Sequence, residues 1–395
     1  MTVALRARLP GAAAVLIGAA LALAGFSLSE VPGDGRILAF SLASGALFGL
    51  VLQRSRFCFY CVTRDYLQVR DARGLLGIVT ALALGTIGYH AVFGAFLPVP
   101  QGGQLPAGAH IGPVSWVLVL GAAVFGLGMA VSGSCISAHL YRLGEGSLAS
   151  VLALLGAVAG FGLGFASWNF LYLQAIQAAP VWWLPHYLGY GGSLLLQVAV
   201  LAAVAAWLLR RHRQPGTAAA GSMRSRRLSE MFFDARWPGF AGGALVAGIG
   251  VLAYLRVAPL GVTAELGSLA RTLGAAQGWL PARLEGLDTF AGCATAVKET
   301  LLSRNGVFVG GLVLASLASA LAAGEFRPRL PSAGQAVRAV LGGVLMGWGA
   351  LVALGCTVGT LLSGIMAAAG SGWVFALACG GGLWVGWRLL ASRAD

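Results

Sequence analysis

Two of the six cysteines in this 395-residue chain occupy matching positions: Cys135 and Cys356 each lie seven residues after the second glycine of a Gly-x-Gly, formed by Gly126 and Gly128 in one copy and by Gly347 and Gly349 in the other. A pattern repeated 221 residues apart implies one structural unit used twice, with its thiol at the same point in each. A neutral thiol is a weak hydrogen-bond donor and a soft, polarizable contact, suited to an anion that must be held and then let go. Cys58, Cys61 and Cys293 stand in comparable short polar or glycine-bearing breaks. Cys379 instead lies inside an apolar run and reads as a small buried hydrophobe.

Cys58 and Cys61 form a C-x-x-C, a spacing used in redox and in zinc sites. No second such pair and no paired histidines supply further ligands, so no metal is expected. A membrane thiol/disulfide redox protein cycling Cys58 and Cys61 with a quinone is the alternative reading of the same residues. Lys298, the one lysine of the chain, follows Cys293 with Glu299 beside it, and an ionisable group at membrane depth is a functional candidate. Arg54, Arg56, Arg64 and Asp65 flank Cys58, while Arg142 and Glu145 follow Cys135. They read as rim charges that would gather anions or dock an acidic partner. His139 lies four residues after Cys135, on the same helical face, where a structural hydrogen bond is the plainer role.

The elements that must position these thiols are set by composition. With 58% hydrophobic and 10% charged residues and a mean hydropathy of +0.83, the chain is read as an all-α integral membrane protein. Apolar stretches predict ten crossings, near 11–28, 37–53, 74–96, 113–132, 147–171, 190–209, 239–256, 306–323, 338–352 and 372–391. The net charge of +13 is carried almost wholly by arginines in connections, including the run from Arg210 to Arg236. That is the positive-inside pattern, and it argues against nucleic acid and for both termini in the cytoplasm. The stretches 97–112 and 174–189 hold no Lys, Arg, Asp or Glu, as outside connections often do.

Four pieces are too short or too polar to cross: 54–63, 132–143, 259–273 with 287–302, and 355–366. They are expected to dip into the bilayer and return, lining a path. With this topology the Cys135 and Cys356 breaks hang from opposite sides, so the two repeats are inverted, an arrangement typical of transporters and channels. The expected units are an added N-terminal helix over 1–36, a first repeat over 37–189 with re-entrant segments at Cys58 and Cys135, a linker helix and basic cytoplasmic loop over 190–238, and a second repeat over 239–395 with re-entrant segments at Cys293 and Cys356. Thiols at successive breaks, with helix-end amides beside them, would hold an anion weakly at several places, as conduction requires. A soft sulfur-containing anion fits such a path better than sulfate or phosphate. No nucleotide-binding loop or cofactor motif is present, and an enzymatic role is not expected.

At these residues the chain resembles the YeeE/YedE family of bacterial inner-membrane sulfur transporters. The shared features are Arg56-Phe57-Cys58 with Thr63-Arg64-Asp65, the run from Gly126 and Gly128 to Cys135 with Arg142-Leu143-Gly144-Glu145-Gly146, and the run from Gly342 through Gly347 to Gly355-Cys356-Thr357-Val358-Gly359. The resemblance implies about nine core crossings with short re-entrant helices in an hourglass, and thiosulfate passed between cysteines through weak S–H···S contacts. It assigns the relay to Cys58, Cys135 and Cys356, with Cys61 and Cys293 as added thiols. It further implies a small cysteine-bearing sulfur-carrier protein on the cytoplasmic side, and some relatives are linked to selenium or other sulfur species.

Overall fold

The computed structural model describes residues 2–213, 236–281, 283–287 and 303–391. Within them the chain is helical and carries no strand, only isolated bridges between loops. Among the described residues ten helices are long and apolar enough to cross a bilayer, so this is a multi-pass membrane protein. In chain order the elements are α1 (Thr2–Ser29), α2 (Gly35–Ser55), α3 (Phe59–Val69), α4 (Arg73–Phe96), α5 (Trp116–Ser132), α6 (Ile136–Gly144), α7 (Leu148–Leu171), α8 (Leu184–Arg211), α9 (Gly239–Arg256), α10 (Ala264–Ala276), α11 (Arg304–Ala322), α12 (Ala333–Val352), the π-helical segment Thr357–Ser363 running on to Met366, and α13 (Gly370–Ala391).

Local chemistry sets several boundaries. The Ser115 and Ser303 hydroxyls accept from the amides of Leu118 and Gly306 at 3.3 and 3.0 Å, and Ser332 forms a reciprocal capping box with Gln335. Helix α2 stops where Arg56 turns left-handed (φ 52°), and α5 stops at Gly133 (φ 80°). Each stop releases the chain into a short new helix, α3 or α6, headed by a cysteine. Helix α8 starts earlier than the apolar window alone suggests, because a turn from Leu184 joins it across a kink at Gly189. The expected break over 259–273 holds α10, which packs on α7.

The helices pair in a crossed pattern. Helix α12 packs on α7 and α13 packs on α5; α11 packs on α2 and α9 on α4; α5 and α12 meet directly. The repeated glycines make the central contacts possible. A Cβ on Gly126 would run into the Cys379 carbonyl of α13, and one on Gly347 into the Ala157 carbonyl of α7. Without side chains there, the backbones approach to a distance that a lipid-embedded bundle uses in place of hydrophobic driving force. Phe125, Phe161, Phe165, Trp168 and Phe375 fill the interior with no exposure, while Leu195, Phe170 and Leu377 stay 66–77% exposed on the outward faces. Outward apolar residues are what a hydrocarbon solvent requires. Helix α1 is almost wholly outward-facing and touches only α2 and α11 among the stronger contacts.

Candidate functional site

Three of the candidate cysteines head helices, while Cys61 lies in the first turn of α3. Cys58 is the N-cap of α3, Cys135 the N-cap of α6, and Cys356 the N-cap of the segment starting at Thr357. Their thiols therefore sit at the positive ends of helices, beside amides that no preceding turn can satisfy. All three are buried, with 0–1% exposure.

Two of the breaks converge. The Cys135 Sγ lies 3.9 Å from the Cys58 Sγ, although the residues are 77 apart in the chain. The Cys61 thiol donates to the Cys58 sulfur at 2.9 Å, and the Cys61 amide points at the same atom at 3.4 Å. Ser137 Oγ is 3.2 Å from the Cys135 sulfur, and Ser134 Oγ is 4.0 Å from that of Cys58. The result is a triad of free thiols, Cys58, Cys61 and Cys135, ringed by hydroxyls and amides. It offers donors throughout and no permanent charge of its own, a setting that accepts an anion without gripping it.

One cation reaches this triad. Arg142 Nη2 donates to the Cys61 sulfur at 3.2 Å, and its Nη1 to the Gly133 carbonyl at 3.4 Å. Within the C-x-x-C the second thiol is turned onto the first and is itself held by a guanidinium. Arg56 does not touch the thiols. Its Nη2 faces Glu325 at 3.4 Å and Glu145 at 3.7 Å, and the Gln53 amide donates to both carboxylates at 2.7 and 3.4 Å respectively. Burial raises the Glu145 carboxyl above its ordinary range, with Arg56 opposing the shift. Asp71, by contrast, is held below its ordinary range by its bonds from Arg73. His139 is buried with Ser150 Oγ on Nδ1 and Ser132 Oγ on Nε2, both at 3.2 Å, the structural arrangement expected of it.

Cys356 lies in a separate buried setting. The Thr263 hydroxyl and the amides of Val358 and Gly359 face its sulfur. The chain reaches it through Leu354, a non-glycine residue in the left-handed region (φ 55°), so the break is held at a cost of about 1 kcal/mol. Beside it a small chamber of about 20 Å³, room for about one water, is lined by His110, Leu354, Thr360 and Ser371. His110 belongs to an uncharged stretch read from sequence only as a connection. It is buried against Gly359, and loss of hydration pushes its pKa down to about 4, so it is neutral near pH 7. Cys379 is buried within α13. Cys293 and Lys298 lie outside the described residues.

Sequence reasoning missed His110, Thr263, Gln53 and Glu325. Only Glu325 carried a signal, as a lone carboxylate next to the basic pair Arg327 and Arg329. Among the described residues no cluster of His, Cys, Asp and Glu is placed to hold a metal ion.

Residues 54–385 match the family described as Sulphur transport. The chain is similar to the thiosulfate transporter TsuA of Escherichia coli strain K12, 27% identical over 355 residues that cover 84% of this chain and 89% of that protein. It is also similar to the thiosulfate transporter TsuA of Spirochaeta thermophila, 28% identical over 345 residues covering 84% of this chain and 93% of that one. A 94-residue stretch is 36% identical to the probable transporter YedE of Salmonella typhimurium, 23% of each chain.

Proposed function

The chain belongs to the Sulphur transport family, and on that footing we propose that it takes up thiosulfate, or a closely similar small sulfur anion, by passing it from Cys356 to the Cys58, Cys61 and Cys135 triad. That it is a membrane transporter for a sulfur anion, and not an enzyme, follows from the family and from relatives named as transporters. The thiosulfate cargo is carried over from the names of two relatives that the chain covers almost end to end. The observation that carries the route is that buried thiols from separate breaks head helices, two of them meeting at 3.9 Å. Such stations bind through several weak donors, and weak multi-site binding is what lets an ion move on.

The crossed helix pairing supports reading 37–189 and 239–395 as inverted halves, with 1–36 added in front and 190–238 joining them. If α5 corresponds to α12 and α7 to α13, the contact of α12 with α7 is the counterpart of that of α5 with α13. Arginine-rich connections support reading the triad side, with Arg142 and Arg327, as cytoplasmic in a bacterial inner membrane, and His110 as outside. Both termini are then cytoplasmic. A small cytoplasmic sulfur-carrier protein is the proposed acceptor. Lys298 and Cys293 stay candidates for the path.

A strain unable to take up sulfur, grown on thiosulfate as sole sulfur source, tests the route. Rescue by the wild-type chain and by Cys379→Ala, with no rescue by Cys356→Ala at matched membrane expression, is the expected result. Rescue by Cys356→Ala would remove the outer station; rescue by neither wild type nor variant would shift the cargo to another sulfur or selenium species.

The 2.9 Å approach of Cys61 to Cys58 also favours a second reading, two-electron oxidation of this dithiol to a disulfide by a quinone, which leaves as the quinol. That reading requires purified protein to reduce a quinone analogue while forming a Cys58–Cys61 disulfide. Intact uptake by Cys61→Ala with no quinone reduction by wild type would dismiss it.

A further inference from the structure

Below the thiol triad lies a chamber of about 500 Å³ in which five arginines face two glutamates. Glu145 and Glu325 are engaged by Arg56 and Gln53, and Glu325 also by Arg236 at 3.9 Å. Among the described residues, Arg142, Arg327 and Arg329 have no carboxylate partner. Arg327 and Arg329 are exposed, but the backbone that carries them is fixed. Their amides donate to the carbonyls of Glu145 and Gly146 at 3.0 and 3.2 Å, and Ser147 and Arg329 form a parallel bridge. Alternate residues of an extended segment point to one side, and both line the same chamber. Arg142 spans the two environments, lining the chamber while donating to the Cys61 sulfur.

We propose that this chamber is a second, guanidinium-type station for a small divalent sulfur oxyanion, taking its oxygen end on Arg142, Arg327 and Arg329 while its sulfur end is still among the thiols. The inference rests on the transport reading above and adds to it a site of different chemistry. Thiols suit the soft sulfur terminus, whereas planar guanidinium forks suit sulfonate oxygens and bind them more strongly. An ion leaving the triad is therefore drawn into the chamber end-on. Glu145 and Glu325 keep the site from being a trap: with five positive and two negative groups its net charge is +3, not +5. An ion with oxygens at every corner, such as sulfate, would find the chamber but gain nothing from the thiols.

The test is equilibrium binding of radiolabelled thiosulfate to the full chain in lipid nanodiscs, with sulfate as competitor, alongside uptake into proteoliposomes. Cys135→Ala should retain a thiosulfate site that sulfate competes for and that weakens with salt. The double variant Arg327→Gln, Arg329→Gln should weaken that binding by about tenfold or more, and the corresponding lysine pair should recover part of it. Monodisperse elution of each variant guards against misfolding. Unchanged binding in the glutamine pair, or no competition by sulfate, would overturn the proposal. If wild type shows no thiosulfate uptake, the transport reading fails separately, and direct sulfate binding with and without Arg327 and Arg329 still decides whether the chamber is an oxyanion site.

Discussion

Replacing Cys135 tests the inner station most directly. Its sulfur is fully buried, 3.9 Å from Cys58 and 3.2 Å from Ser137 Oγ, so Cys135→Ala deletes one donor and leaves the surrounding hydroxyl and amide groups in place. A hydrogen bond to a charged partner contributes about 1.5–3 kcal/mol, and each 1.4 kcal/mol is a tenfold change in rate or equilibrium. Thiosulfate uptake into proteoliposomes should therefore fall roughly 10- to 150-fold. Cys135→Ser keeps a donor but replaces the soft atom with a hard one, and should fall between alanine and wild type. The structural cost is far smaller: removing a single buried sulfur should cost roughly 1 kcal/mol of stability, so both variants should purify as folded protein. Uptake by folded Cys135→Ala within threefold of wild type would refute the reasoning, because it would mean that the meeting of the two breaks carries no load in conduction.

Two further perturbations address the frame. Gly347→Val would drive a side chain into the Ala157 carbonyl, and since overpacking costs about 1–3 kcal/mol or more, its yield of monodisperse protein by fluorescence-detected chromatography should drop sharply, whereas Gly334→Val, in open space, should not. His110 binds a proton less readily when folded, about 4 against 6.5 for the free side chain, so its contribution to stability is complete above pH 6.5 and is lost as pH falls towards 4. The 2.5-unit difference corresponds to about 3 kcal/mol, and thermal unfolding of wild type should lose more between pH 7 and 4.5 than that of His110→Gln.

The crossings were legible because each is a long apolar window between charged connections, and the thiol-bearing breaks because polar residues and glycines interrupt those windows at matched offsets. What pairs with what was not legible. The approach of Cys135 to Cys58 joins breaks 77 residues apart, and no local pattern encodes it. Arg142 looked like a rim charge by its place after an apolar run, yet the short α6 folds its guanidinium back onto Cys61. Gln53 and Glu325 come together only because α2 packs on α11. His110 was hidden for a different reason: an uncharged connection gives no hydropathy signal that it folds inward over Gly359.

The proposed route between the buried thiols has an electrical consequence. Arg142 and the other cations beside the proposed route belong to the protein and do not travel with the ion, so a divalent cargo would carry its two charges through the membrane field unaccompanied. Each charge moved against 100 mV costs about 2.3 kcal/mol, so a dianion entering a cell with a negative interior faces about 4.6 kcal/mol per 100 mV. At equilibrium that voltage alone would hold its internal concentration more than a thousandfold below the outside level. A path of this kind therefore runs inward only while something inside removes the ion, or a cation travels with it, and current recorded across a planar bilayer would distinguish the two.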